Sequence, residues 1–423
     1  MDKPARAVIV NPMNGPRAHV IITGGGLNGP ALALALARAG LRVTVIDAMT
    51  PDLLRAASFD GRAYALALAS QRLLAAIGLW PQIREQAQPI LDIKVSDGHA
   101  GHGASPFHMH FDHAELEEGP MGFMVEDRYL RRALLDAMDS QAHRLTMLSG
   151  RRVIAQEVSA GGVLVRLDDG TTLDGDLLVG ADGRRSGTAR RAGIRRTGHD
   201  YGQTALVSAI RHEKPHAGTA HQFFMPAGPL AILPLQPGNR SSIVWAESHA
   251  RAQEINALDD AGYLEALHPR FGDFLGRIEL EGKRFTYPLN LTMAESMTAA
   301  RVALIGDAAH GVHPIAGQGL NAGLRDVAAL AETLVLAARR GEDIGAAQVL
   351  ERYAQWRRFD SNALALATDM FNKLFSNDNP VLRTVRHLGL GLVNATPALR
   401  RGFIREAAGL TGDLPRLMRG QPL

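Results

Sequence analysis

The sequence predicts an α/β fold in which a parallel-sheet domain is split by an inserted, mainly antiparallel β domain and followed by a helical C-terminal region. Three observations carry this. Gly24-Gly-Gly-Leu-Asn-Gly29 stands directly between an apolar strand at residues 19–23 and a helix-patterned stretch at 31–39. Two more short apolar runs, at 177–180 and 302–305, each end beside a glycine and an aspartate. From Ala205 to about Pro288 the pattern reads as successive strands, with one helical insertion near 257–267, and from Val349 to Leu423 it is largely helical.

The first element is a GxGxxG turn in the context it requires. Gly24 makes the tight turn, Gly26 allows a pyrophosphate to approach, and Gly29 lets helix and strand pack closely. A second strand, Leu41–Ile46, ends at Asp47, a little over twenty residues beyond Gly24, where a carboxylate can accept a ribose hydroxyl. An adenine dinucleotide is the predicted ligand. The next elements are a helix over 70–77, a helix over 129–138, and a hairpin turning at Asp168-Asp-Gly170. Leu177–Ser186 is a buried strand running into Asp182-Gly183. Arg301–Asp326 repeats that arrangement with Gly306-Asp307, whose carboxylate suits a sugar or polyol hydroxyl. Pro314, Gly317 and Gly319 then shape a loop opening onto a helix that begins near Leu320.

Asp182-Gly183 and Gly306-Asp307 together match the pattern of flavoprotein monooxygenases. The chain resembles a class A FAD-dependent aromatic hydroxylase of the p-hydroxybenzoate hydroxylase fold, and more closely the ubiquinone-biosynthesis hydroxylases, which act on polyprenylated phenols. Residues 59–68, 228–234 and 313–326 carry the closer match. With 368–375, the resemblance covers nearly the whole chain from His19 onward.

The resemblance implies a Rossmann-like FAD-binding domain, FAD as cofactor, NAD(P)H as electron donor and O₂ as cosubstrate, with the phenol attacking a flavin C4a-hydroperoxide. The cofactor residues it implies are Gly24, Gly26, Gly29, Asp47, Arg62, Asp182, Gly183, Gly306, Asp307, Leu320 and Asn321. N–H groups near Gly317, Gln318, Gly319 and Leu320 would meet the flavin N1/C2=O edge and stabilise the charge of the reduced ring, with Pro314 near the edge where oxygen reacts. Tyr64 shares the flavin-proximal segment with Arg62. Phe223, Phe224, Leu230, Ile232 and Leu235 would line an apolar substrate pocket if their strands face the flavin, and some could equally be plain core.

Two positions depart from the family. Ala189 stands where the middle motif carries an arginine, with Arg190 following, so no nicotinamide contact is carried over to Arg190. Asp127 stands near the FAD backbone where relatives carry an amide or arginine; a carboxylate there would repel a pyrophosphate, so Asp127 is expected to cap the following helix. His310 and His313 have a spacing seen in metal sites but lack further ligands, so no metal is expected and a loop-shaping role is assigned. Trp80, Trp245 and Trp356 do not form the tryptophan motif of flavin halogenases.

Composition narrows the field. The 423 residues, 46% of them hydrophobic, can bury a large core. A formal net charge of +3 without a basic block excludes nucleic acid as a partner. There is no cysteine, which removes disulfides, thiolate metal sites and the paired redox cysteines of flavin disulfide reductases. No stretch has the length of a signal-peptide core or a membrane span, so a cytoplasmic enzyme is expected, with any inner-membrane contact peripheral. The expected organisation is FAD domain at 19–96, 124–197 and 301–345, substrate domain at 97–123 and 198–300, and a helical region at 346–423.

Leu382, Val385, Leu388 and Leu392, with Arg383 and Arg386, form a basic amphipathic stretch within 380–408. Such a stretch could cover the FAD domain or lie on a membrane. Hydroxylation of a polyprenylated phenol, alongside other ubiquinone-biosynthesis proteins, is the expected function. The alternatives are a soluble-phenol hydroxylase and a non-catalytic flavin-binding subunit of a biosynthetic complex.

Overall fold

Five consecutive buried residues, His19–Thr23, form β1 near the middle of a six-stranded sheet. The computed structural model describes residues 19–56, 59, 61–99, 103–311, 318–358 and 396–423. Helix α1 (Asn28–Arg38) alternates alanine and leucine; the small residues let it lie close to the sheet, and Gly29 to Ala37 are all buried. The chain continues through β2 (Arg42–Asp47), α2 (Pro51–Leu54), β3 (Ala63–Ala67), α3 (Leu68–Ala76), α4 (Trp80–Ile83) and β4 (Gln88–Ile90). A hairpin of β5 (Asp92–His99) and β6 (Gly103–Asp112) follows, then β7 (Gly122–Glu126), α5 (Asp127–Asp139) and β8 (Leu145–Ser149). β9 (Val153–Val158), β10 (Val163–Leu167) and β11 (Thr172–Gly175) make a small antiparallel sheet, and β12 (Leu177–Gly180) and α6 (Gly187–Arg191) come next.

The insertion comprises β13 (Arg196–His212), β14 (Thr219–Met225), β15 (Gly228–Leu235), β16 (Arg240–Ser248), α7 (His249–Ala257), α8 (Asp260–Phe271) and β17 (Ile278–Ala294). β18 (Thr298–Ala299) and β19 (Val302–Leu304) return to the first domain, β20 (His310–Gly311) adds an edge strand to the larger sheet, and α9 (Gln318–Arg339) packs back on the first domain. One helix then covers 347–358 and another spans Pro397–Ala407.

The first sheet has the order β18-β19-β12-β1-β2-β8, with every pairing parallel except β18 to β19. Its inner strands β1, β2, β12 and β19 are buried on both faces and read as apolar runs, as a doubly wound sheet requires. The second sheet has eight strands in the order β20-β17-β13-β16-β15-β14-β5-β6, all antiparallel neighbours except β14 and β5. The α/β class, the parallel dinucleotide-type sheet and the mainly antiparallel insertion are thus borne out. The expected single helix near 257–267 is two helices broken at Leu258–Asp259, where Asp259 accepts the Gly262 N–H and caps α8. β5 begins at Asp92, ahead of the boundary expected at 97.

The larger sheet has two different faces. Phe223 lies opposite Leu230, and His221 opposite Ile232, so these four share one side. That side is sealed by α7 and α8, where Phe223, Leu230 and Ile232 pack with Trp245, Tyr263 and Phe271. The pocket expected from this strand set therefore divides: Phe223, Leu230 and Ile232 are core residues beneath helices, because strand alternation turns them away from the first domain. Phe224 and Leu235 point the other way. Phe224 packs with Val95, Met109 and Phe111, and Leu235 joins the core shared with the parallel-sheet domain.

His221 sits in the helix-backed layer with its ring against Phe274 and Phe223. Burial, reinforced by Lys94, pushes its pKa from 6.5 down to about 4. The unfolded chain takes up a proton that the folded chain refuses, so this stabilisation is complete above about pH 6.5 and is lost as pH falls through about 4. His221→Asn is expected to flatten the decline of the urea midpoint across that window. An unchanged slope would contradict the assignment.

Candidate functional site

Strand register brings the sequence motifs to one edge. Thr23 pairs with Ile46 on one side and Gly180 on the other, and Gly180 pairs with Leu304. The Gly24 turn, Asp47, Asp182 and Gly306-Asp307 therefore leave neighbouring strands together. β2 lies on one side of β1, while β12 and β19 lie on the other, so this edge is a topological switch point, where doubly wound sheets bind ligands.

The glycines of the first loop fall into two kinds. Gly24 has φ +108°, and a Cβ there would strike the Ala181 carbonyl; a Cβ on Gly29 would strike the carbonyl of Gly24. Those two are required by the fold itself. A Cβ on Gly26 would meet nothing within 4 Å, so a side chain at that position would project into open space. The N-terminus of α1 has no side-chain cap and no acid in its first turn, which leaves its N–H groups to an anion. Asn28 wedges between Gly306 and Gly323, and its buried Oδ1 has no hydrogen-bond partner among the described residues. These features fit a diphosphate and the polar stem of a dinucleotide.

The three carboxylates are held in place by backbone and arginine. Asp47 accepts the Gly25 N–H at 2.5 Å and the Met49 N–H at 2.7 Å. Asp182 accepts Ser186 Oγ at 2.5 Å and both the N–H and the hydroxyl of Thr188 at 3.0 Å, beside Gly183 at φ +76°. Asp307 pairs with Arg184 Nε at 3.0 Å, and Arg184 also donates to Asn290 of β17 at 3.2 Å. Arg196 donates to the Asp307 carbonyl at 2.7 Å and to the Arg184 carbonyl. Sequence reasoning missed Arg184 and Arg196; the only available signal was the arginine following Asp182-Gly183.

Gly319, Leu320 and Asn321 lie in the first turn of α9, which Gln318 opens; Pro314 and Gly317 lie outside the described residues, as does His313. The Asn321 side chain is committed to the protein. Its Oδ1 accepts from Ala67 N at 2.9 Å and Ser70 Oγ at 2.8 Å, and its Nδ2 donates to the Ala65 carbonyl at 2.8 Å. It staples α9 to β3 and α3. A cofactor at this point would meet the main chain of Asn321.

Asp127 does not cap α5. It is the first residue of that helix, makes no capping bond, and binds Arg62 Nη2 at 3.1 Å, Tyr64 Oη at 3.1 Å and Arg131 Nη2 at 2.6 Å. The capping rule sees only local sequence, whereas β3 pairs with β7 and delivers Arg62 and Tyr64 to the carboxylate. Burial, reinforced by Asp127, raises the Tyr64 pKa, so the phenol stays protonated. Gly61, just before Arg62, lies against the ring of Phe285 on β17. Around Phe285, the face of the large sheet opposite α7 and α8 carries Val207, Val244 and Leu289. These are apolar wall residues that sequence reading did not select.

A doubly wound sheet with a glycine cradle and three strand-end carboxylates, crossed by a long antiparallel sheet, defines a two-domain dinucleotide-binding oxidoreductase. The chain belongs to the FAD-binding domain family, whose profile matches residues 17–365. It is 48% identical to the ubiquinone hydroxylase UbiL of Rhodospirillum rubrum over 96% of this chain and 94% of that protein. It is 33% identical to the 3-demethoxyubiquinol 3-hydroxylase of Escherichia coli over 94% of this chain and 100% of that protein. In fold it is similar to the crystal structure of p-nitrophenol 4-monooxygenase PnpA from Pseudomonas putida, with TM-score 0.78 and 20% identity, covering 95% of this chain and 99% of that one. FAD is therefore the dinucleotide, and the protein is an FAD-dependent monooxygenase, as the sequence resemblance implied.

Gly26 and Asp307 separate binding from folding. Gly26→Val faces open space in the protein and should leave the fold intact while obstructing the diphosphate. Asp307→Ala removes a charge-assisted acceptor worth about 1.5–3 kcal/mol, which should weaken FAD by roughly tenfold or more. Flavin-to-protein absorbance ratios after gel filtration test both. Full flavin occupancy in both variants would overturn this placement of the cofactor.

Proposed function

We propose that this protein hydroxylates the aromatic ring of a polyprenylated phenol in ubiquinone biosynthesis, taking two electrons from NAD(P)H and one oxygen atom from O₂. The other oxygen leaves as water, so phenol, O₂, NAD(P)H and a proton give hydroxyphenol, water and NAD(P)⁺. The reading is carried by the end-to-end match to ubiquinone hydroxylase UbiL at 48% identity. Bound FAD would supply the electron transfer and oxygen activation that side chains cannot. The chain itself has to bind, orient and exclude water.

Gly24, Gly26 and Gly29 receive the diphosphate, Asp47 the ribose, and Asp182 and Asp307 the polar stem of the cofactor. Gln318, Gly319 and Leu320, in the first turn of α9, present N–H groups to the ring. Tyr64, kept protonated, donates its one proton to Asp127 and so holds that carboxylate beside Arg62. Phe285, Val207 and Val244 give the aromatic ring an apolar wall from the large sheet. A deletion strain should lose ubiquinone and accumulate a prenylphenol lacking one hydroxyl, read by mass spectrometry. Normal quinone levels would refute the pathway assignment.

Contact with the membrane is proposed to be peripheral. No helix among the described residues is long and apolar enough to cross a bilayer. Arg383 and Arg386 fall outside the described residues, but the helix Pro397–Ala407 lies within them. It exposes Leu399 at 47% and Phe403 at 45%, one turn apart, beside exposed Arg401. Its other side is tied down by Arg400 to Glu115 and Arg405 to Glu118, each at 2.8 Å. Leu399→Ser with Phe403→Ser should reduce co-sedimentation with vesicles containing anionic lipid and leave flavin content unchanged. Undiminished sedimentation would assign that ridge no lipid role.

A further inference from the structure

Asp326, eight residues into α9, is completely buried and makes three contacts that the binding scheme above does not use. Its Oδ2 accepts the Gly306 N–H at 2.9 Å and His310 Nε2 at 2.6 Å; its Oδ1 accepts Arg357 Nε, from the helix at 347–358, at 2.8 Å. His310 and Arg357 are buried as well. Two of these contacts, and the helix that carries Asp326, lead to different parts of the flavin site. Gly306 is the turn that presents Asp307. His310 is in β20, which pairs with Met293 of β17 and so joins the substrate sheet to the same carboxylate. Asp326 itself belongs to α9, whose first turn is assigned to the flavin ring.

We propose that Asp326 and His310 form a positioning couple, which fixes the Gly306-Asp307 turn relative to α9 and keeps a buried cation behind the flavin site. The inference rests on the reading that FAD lies along these strand ends. Gly306 adopts φ +59°, a conformation open to glycine, and its N–H has one direction in which to donate; the Asp326 carboxylate lies in that direction. One carboxylate is shared by two cationic side chains. Whenever His310 holds its proton, the group carries a net positive charge beside a site that has to receive a diphosphate and a reduced, anionic ring.

The charged and titratable groups facing His310 are few. Asp326 comes from α9, Arg357 from the following helix, and Asp307 from the same turn as His310. Arg184 lies against Gly311, and Tyr353, on the helix of Arg357, donates to the Leu304 carbonyl at 2.8 Å. Burial alone would lower the pKa of His310, but Asp326 outweighs it by charge and hydrogen bond, and the pKa is raised. Among the described residues His310 is thus the exception to the buried histidines, since His19, His212 and His216 are all pushed down by burial. The contribution of its proton is present below the ordinary histidine pKa and disappears as pH rises through the raised value.

His310→Gln retains a donor toward Asp326 and removes the charge. FAD dissociation constants of the full chain, stripped of flavin and titrated by fluorescence quenching across pH 6 to 9, are the measurement. The wild-type protein should bind FAD progressively more weakly as pH rises through the raised His310 value. The variant should bind about tenfold more weakly at pH 6, equivalent to about 1.4 kcal/mol, and should show a flat profile. Asp326→Asn, which keeps an acceptor for Gly306 but unpairs two cations, should lose more affinity than His310→Gln. If His310→Gln lowers only the melting temperature and reproduces the wild-type affinity and pH profile, the couple is a packing element and the proposal is overturned. Failure of wild-type protein to bind FAD at all would instead remove the functional reading beneath it.

Discussion

Parallel pairing of β1 with β2 and β12, and of β12 with β19, is the constraint on which the rest depends. Because these four strands run in one direction and in matched register, they bring a glycine turn and three carboxylates to one edge without any of the motifs being close in sequence. Asp47 and Asp307 are far apart along the chain and are brought to one sheet edge by strand hydrogen bonds alone. Buried apolar side chains fix that register, since a one-residue slip would turn every inward residue outward.

Beside the apolar core that the two domains share, ion pairs and polar contacts cross the joint between them. Arg240 on β16 reaches Glu126 at the end of β7 and Glu281 on β17, while Arg184 links Asp307 to Asn290. Buried pairs of this kind add little net stability, because desolvation offsets most of the attraction, but breaking one partner is costly. They therefore fix geometry. An apolar joint could slide, whereas paired charges tolerate one arrangement. This suits the proposed arrangement, in which an apolar wall on one sheet has to keep its place relative to a cofactor on the other.

The fold was legible where local pattern and global structure agree. The run His19–Thr23, the GxGxxG turn and the Ala/Leu helix after it could be read directly, because each carries its own periodicity. Phe223, Leu230 and Ile232 were visible as strand residues, but alternation gives two faces without saying which one helices will cover. Asp127 was misread because its partners, Arg62 and Tyr64, arrive through pairing of β3 with β7, a contact no local rule contains. The second half of β17 and the hairpin β5–β6 were hard to see for a related reason. The second half of β17 pairs with the distant β13, and β5 pairs with the distant β14 as well as with β6, while the hairpin's own composition is polar, glycine-bearing and irregular.

The large sheet takes its strands from three separate stretches of chain, 92–112, 196–294 and 310–311, and each return passes through the parallel domain. Neither domain is a continuous length of polypeptide. Several of the pairings that define the two sheets, among them β1 with β12, β12 with β19 and β5 with β14, close long loops, a topology that slows folding in general. Heritable change is constrained in the same way: because each sheet draws on separate stretches of chain, recombination at a single crossover cannot exchange one domain for another.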